Sequence, residues 1–73
     1  MKFPDALRQG LENDGWTVTE EFRGDVLAVR FTKGGWVTAI YNDAREPKPW
    51  DDLMAMIKPR MAFVESKISG TAV

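Results

Sequence analysis

Residues 16–41, WTVTEEFRGDVLAVRFTKGGWVTAIY, decide the fold, because three strand-like runs alternate there with two glycine-containing turns. The runs cover about residues 16–22, 25–32 and 36–42 and are rich in the β-branched and aromatic residues that favour strands. Gly34-Gly35 is a strong hairpin signal, because both positions of a tight primed turn require a positive φ. The runs are therefore predicted to form a three-stranded antiparallel meander.

The two turns also predict which side chains share a face of the sheet. With Gly34-Gly35 as the loop, Val29 is expected opposite Ile40. With Arg23-Gly24 as the other loop, Val18 is expected opposite Val29, and cross-strand partners share a face. The predicted apolar face comprises Trp16, Val18, Phe22, Leu27, Val29, Phe31, Trp36 and Ile40.

A short amphipathic helix is predicted before the strands, over about residues 4–14. Its apolar side carries Phe3, Leu7 and Leu11. Gly15 is expected to end the helix in the left-handed conformation that glycine tolerates. Gly10 falls on the apolar side, where the absence of a side chain suggests close approach to the structure beneath.

A longer helix is predicted over about residues 49–68, after a polar linker at 43–48 and before a frayed tail at 69–73. Pro59 interrupts its middle, so the helix is either kinked or split into two. Its apolar positions are Trp50, Leu53, Met54, Ile57, Met61, Val64 and Ile68. The predicted architecture is a single α+β domain over residues 1–73, α-β-β-β-α, with both helices on one face of the sheet. Trp36 and Trp50 are expected in the core, with the rim of a cleft as the alternative.

Composition limits the chemistry open to this chain of 73 residues. It has no Cys and no His, which removes thiolate catalysis, disulfides and the commonest general base and metal ligand. No apolar run resembles a signal peptide or a membrane span, so we expect a cytoplasmic protein without a membrane partner. We expect no enzyme activity and no cofactor. The alternative is a metal-dependent enzyme that holds Mg²⁺ at the carboxylates Asp43, Glu46, Asp51 and Asp52.

The sheet face opposite the helices is the first candidate binding surface. Arg30 and Tyr41 are its large polar groups, and both residue types are enriched at interface hot spots. The surrounding contacts are predicted to be Thr17, Thr19 and Val37. Four carboxylates are candidates for steering the protein towards a basic target: Glu20, Glu21, Asp43 and Asp51. The alternative is an ordinary solvated sheet face.

The last helix offers a second candidate surface. Met56 and Phe63 lie seven residues apart and off the main apolar stripe, which is typical of a self-association or partner surface. The alternative is that the bend at Pro59 turns Phe63 into the core. A structural homodimer, with Met56 and Phe63 or the edge strand 36–41 at its seam, is therefore a further hypothesis.

The α-β-β-β-α order resembles that of the double-stranded-RNA-binding domain, over nearly the whole chain. That family carries a basic cluster at the start of its last helix, where this chain reads Lys48-Pro49-Trp50-Asp51-Asp52. The resemblance implies the topology, while the acidic pair argues against phosphate binding. A nucleic-acid-binding module, using Arg23, Lys33, Arg45 and Lys48, remains an alternative.

Size and composition are similar to those of small phage and mobile-element proteins that inhibit host machinery, such as anti-CRISPR proteins. That resemblance implies a small inhibitor that binds a protein or nucleoprotein complex and occludes a functional surface. The main functional hypothesis is accordingly a non-enzymatic protein-binding module.

Overall fold

A computed structural model describes residues 1–70, and its element order is the predicted one. The elements are α1 (Asp5–Asn13), β1 (Thr17–Arg23), β2 (Val26–Lys33), β3 (Trp36–Asp43) and α2 (Trp50–Gly70). The three strands form one antiparallel sheet in the order β1-β2-β3. The predicted α+β class and meander topology are confirmed.

The second hairpin has the predicted register, whereas the first is displaced. Val29 pairs with Ile40 across β2 and β3, and Gly34 and Gly35 both have positive φ, 56° and 83°. In the first hairpin Val18 pairs with Phe31 rather than with Val29, so that predicted pairing is wrong. Arg23 pairs with Val26, so the two-residue loop is Gly24-Asp25. The first position of this turn requires a positive φ, and Gly24 has a φ of 62° there. A shift of two residues keeps every side chain on its predicted face.

α1 ends as the sequence predicts, through a left-handed glycine. Gly15 has a φ of 92°, its N–H bonds to the carbonyl of Glu12 at 3.0 Å, and the Trp16 N–H reaches the carbonyl of Leu11 at 3.0 Å. This pair of hydrogen bonds is the Schellman motif. The expectation for Gly10 is wrong: it is exposed, and a Cβ there would meet nothing within 4 Å.

α2 is one continuous helix of 21 residues, so the split alternative is excluded. Pro59 lies inside it on the exposed side, as does Ala55, whose carbonyl loses its usual N–H partner. Exposure lets water reach that carbonyl. The helix includes Ser69 and Gly70, which the sequence assigned to the tail; the rest of the predicted tail, 71–73, lies outside the described residues.

The core lies between the sheet and the two helices, which cover the same face. Phe3 is fully buried at its centre, with ring centroids 5.6 Å from Phe31 and 5.2 Å from Trp50. Trp50 is partly buried against this core, whereas Phe22 and Trp36 lie exposed at the margin of the sheet. The core expectation for Trp36 is therefore wrong. The buried apolar residues are Phe3, Trp16, Val18, Leu27, Val29, Phe31, Ile40, Leu53, Met54, Ile57, Met61 and Val64.

The segment predicted as a free linker is held to the sheet by buried Asn42. Its Nδ2 donates to the Lys48 carbonyl and its Oδ1 accepts from the Lys48 N–H, both at 3.0 Å. The Ala44 N–H also bonds to the carbonyl of Asp25 at 2.7 Å. These bonds fix the path of the chain from β3 into α2.

Candidate functional site

The sheet face opposite the helices brings together the five residues predicted as partner contacts. The registers place Thr17 and Thr19 of β1, Arg30 of β2, and Val37 and Tyr41 of β3 on this face. A shallow depression of about 330 Å³ lies among Thr19, Glu20, Glu21, Ala28, Arg30, Ala39 and Tyr41. The structure thus assembles the predicted set on one uncovered surface.

Arg30 occupies the middle of this face. It pairs with Thr19 on one side and Ala39 on the other, so its neighbours are small. Its guanidinium makes no ion pair or side-chain hydrogen bond with any of residues 1–70, although Glu21 lies on the same face. Glu21 is instead 3.7 Å from Arg23. A cation that is central, exposed and unpaired is available to a partner.

Tyr41 stands beside Arg30 on the neighbouring strand. Its cross-strand partner is Ala28, which is buried and too small to cover the ring. The Tyr41 side chain is exposed, and its hydroxyl bonds to none of the described residues. Arg30 and Tyr41 therefore project from the middle of this face, and their cross-strand partners Thr19, Ala39 and Ala28 are small.

The four predicted steering carboxylates do not share a surface. Glu20 faces the helices, where it pairs with Arg8 and accepts the Phe3 N–H at 2.8 Å. Asp43 bonds to Arg45, and that hydrogen bond is the main reason its pKa is lowered. Asp51 lies in the first turn of α2. Glu21 lines the depression on the sheet face, and Asp43 follows Tyr41 on the same face but is paired with Arg45.

Met56 and Phe63 are both exposed, at 72% and 44%, so Phe63 does not turn into the core. The Phe63 ring lies 5.7 Å from that of Trp36, and the Lys67 Nζ is 5.2 Å from its centre. Two grooves separate this flank of α2 from β3. The first, about 350 Å³, is lined by Trp36, Val37, Thr38, Pro59, Arg60, Phe63 and Val64. The second, about 300 Å³, is lined by Ala39, Ile40, Tyr41, Lys48, Leu53, Met56, Ile57 and Arg60.

Arg60 is the residue of this region that the sequence did not single out. It lines both grooves, is exposed and forms no ion pair with the described residues. Its spacing of four from Met56 and three from Phe63 places it on the same helix flank, which is the signal that was available.

The four cations of the nucleic-acid alternative do not form a basic patch. Arg23 is 3.7 Å from Glu21, and Lys33 is 2.7 Å from Glu65. Arg45 pairs with Asp43 at 2.9 Å; this hydrogen bond raises the Arg45 pKa. Lys48 alone of the four has no ion pair with residues 1–70. Three of these four cations are thus already paired with carboxylates, which lowers the positive charge that they offer to phosphates.

The carboxylates of residues 43–52 do not converge. Within residues 1–70 no group of three or more acidic side chains is placed to hold a metal ion.

No helix of the described part of the chain is both long and apolar enough to span a bilayer.

Comparisons with known proteins returned no matching family model, curated protein or solved structure.

Proposed function

We propose that this protein is a non-enzymatic protein-binding module whose uncovered sheet face docks onto another protein. The observation that carries the proposal is the unpaired Arg30 at the centre of that face. Both helices cover one face of the sheet. The other face presents the exposed side chains of Arg30 and Tyr41 beside small cross-strand neighbours.

The chemistry of this face favours a partner that presents a carboxylate within an apolar surround. A carboxylate placed over Arg30 can accept two parallel N–H bonds from the guanidinium, which is the strongest geometry for such a pair. Tyr41 adds apolar contact area and a hydroxyl for a further hydrogen bond. Val37 and the threonine methyl groups supply the flanking apolar contacts.

A narrower form of the proposal is a phage-type inhibitor, such as an anti-CRISPR protein, that occludes a functional surface of a larger protein or nucleoprotein complex. Three features support it: the small size, the absence of Cys and His, and a single sheet with one uncovered face. Occlusion needs only a surface, with no catalytic group.

The test is a double variant, Arg30→Glu with Tyr41→Ala. Native-host extract is passed over immobilised protein, captured proteins are identified by mass spectrometry, and the affinity of each purified candidate is measured by calorimetry. The double variant is expected to weaken binding by tenfold or more, about 1.4 kcal/mol, with an unchanged circular dichroism spectrum.

Lys58→Glu is the matched control, because it reverses an exposed charge on the solvent side of α2. It is expected to bind normally. Replacement of the partner's contacting Asp or Glu by Lys should restore its binding to the Arg30→Glu variant. Full affinity in the double variant would eliminate the sheet face as the docking surface.

A further inference from the structure

The outer edge of β3 is an open hydrogen-bonding surface. In the Gly34-Gly35 turn the Trp36 N–H faces the Lys33 carbonyl, and pairs along an antiparallel ladder alternate between bonded and non-bonded. The backbone groups of Val37, Ala39 and Tyr41 therefore point away from β2. None of them bonds to any other part of residues 1–70.

The opposite edge of the sheet is partly covered by α1. By the same alternation, Val18 and Glu20 have their backbone groups on the outer edge of β1. The Arg8 guanidinium donates to the Val18 carbonyl at 2.7 Å and pairs with the Glu20 carboxylate, so α1 covers the middle of this edge. Natural sheets block free edges with charges or covering elements, and within residues 1–70 a helix side chain bonds to the outer edge of β1 but not to that of β3.

Exposed hydrophobic side chains concentrate beside the unprotected edge. Seven large hydrophobic residues are exposed within residues 1–70, and five of these lie on β3 or on the adjoining flank of α2. The five are Trp36, Val37, Tyr41, Met56 and Phe63. Thr38, in the wall of the first groove, has a buried hydroxyl without a hydrogen-bond partner in the described chain. A strand edge beside an apolar groove and a second groove of mixed lining is a suitable binding site for an extended chain.

The charges of the grooves are all positive. Arg60 lies between the two grooves and lines both, and Lys48 lines the second. Neither groove has a carboxylate in its lining, and neither cation is paired within residues 1–70. The complementary occupant is therefore acidic at the point that meets Arg60.

We propose that the β3 edge binds an extended segment of another protein as a fourth strand. Alternate residues of a strand are about 6.6 Å apart and face one side. Three successive helix-facing side chains of the segment then meet the first groove, Arg60 and the second groove in turn. The segment is predicted to read apolar-x-acidic-x-apolar, with Asp or Glu paired to Arg60.

A second copy of this chain is a poorer occupant. α2 packs directly over β3. Pairing two copies through β3 sets the strands about 4.8 Å apart, while packed helices need about 8–10 Å between their axes. In the antiparallel pairing of two β3 edges, both α2 helices lie on the same side of the joined sheet and would collide. A single extended segment brings no helix and avoids this clash.

This binding mode is separate from the docking proposed for the sheet face. It uses the backbone edge of β3 and the Arg60 side chain, whereas the sheet-face proposal depends on Arg30. Variants of the two arginines distinguish the failure of one proposal from the failure of the other.

The probe is a displayed random-peptide library selected on the full chain. Enriched peptides are resynthesised and their affinities measured by fluorescence anisotropy. Ala39→Pro removes the outward N–H at the centre of the free edge without touching the bonds to β2. It is expected to weaken the selected peptides by tenfold or more. Phe22→Pro is the matched control, since it removes an outward N–H from the β1 edge, and it should bind normally.

Arg60→Glu tests the same idea with a surface change that leaves the backbone intact. The variant should lose about tenfold affinity for the acidic peptides and gain affinity for the same peptides with Lys at the central position. Amide protons of Val37, Ala39 and Tyr41 should become protected from exchange when peptide binds. Three outcomes overturn the proposal. The library yields no enriched peptide, the enriched peptides bind both variants as tightly as the wild type, or sedimentation shows a dimer in which these three amides are already protected.

Discussion

The indole Nε1 of Trp16 donates a hydrogen bond of 3.1 Å to the Oε1 of Glu65, which lies 49 residues further along the chain. The Lys33 Nζ donates to the same oxygen at 2.7 Å. One carboxylate thus joins the residue before β1, the end of β2 and the second half of α2. The Lys33 hydrogen bond, followed by the smaller effect of Trp16, lowers the pKa of Glu65.

This carboxylate gives folding stability a defined pH dependence. Because its pKa is lower in the folded chain than its ordinary value of 4.5, its contribution is complete above that value. The contribution is lost as the pH falls through the lowered folded-state pKa. Thermal unfolding of the wild type and of Glu65→Gln should therefore differ at neutral pH and converge in acid. A difference that persists undiminished at the lowest pH would contradict this account.

Gly10→Ala is expected to stabilise the protein by about 0.5–1 kcal/mol, because glycine is unfavourable inside a helix. A Cβ at this position meets nothing within 4 Å, so no packing cost offsets the gain. Urea denaturation measures the change. Gly34→Ala provides the contrast: its φ of 56° is left-handed, and its Cβ would lie 2.8 Å from the Ile68 Cδ1. That variant should be less stable than the wild type.

Asn42→Ala is expected to destabilise the fold by about 1–3 kcal/mol, because it leaves two backbone groups of Lys48 without their partner. The loss should appear in chemical denaturation as a lower midpoint. Asn13→Ala is the control, since Asn13 is exposed at the end of α1 and bonds only to the Gln9 side chain. It should change stability by less than about 0.5 kcal/mol. Equal effects of the two substitutions would show that the bonds to Lys48 contribute nothing.

Thr38→Val is expected to raise stability by about 1 kcal/mol. The Thr38 hydroxyl is buried without a hydrogen-bond partner among residues 1–70, and valine fills the same space without a polar atom to desolvate. Thr19→Val, on the exposed sheet face, should stay within about 0.5 kcal/mol of the wild type. Thermal unfolding of both variants distinguishes burial of the hydroxyl from a general preference of strands for valine.

Much of the fold could be predicted because its signals are local. Gly34-Gly35 fixed the second hairpin, since few residues other than glycine adopt two successive positive φ values. The predicted pairing of the first hairpin was wrong by two residues. Gly24 can be either the first or the second residue of a turn, and only the hydrogen-bonded pairing of β1 with β2 shows which.

For the candidate sites too, local features could be predicted from the sequence and long-range contacts could not. Strand alternation was enough to place Thr17, Thr19, Arg30, Val37 and Tyr41 on one face, because side-chain direction has a period of two whatever the register. The pairing state of each charge could not be read in this way. Glu20 pairs with Arg8 and Asp43 with Arg45, while Arg30 has no ion pair within residues 1–70, because these distances depend on how α1 and the turn after β3 pack.

The sequence by itself determined the α-β-β-β-α order, the turn glycines and the two faces of the sheet, because backbone preference and apolar periodicity act over a few residues. The tertiary structure alone decided that α1 covers part of the β1 edge while the β3 edge stays open beside Arg60. It also decided that Pro59 is carried within one helix. Those outcomes depend on where two helices lie across three strands, a relation between residues distant in the chain that no local pattern contains.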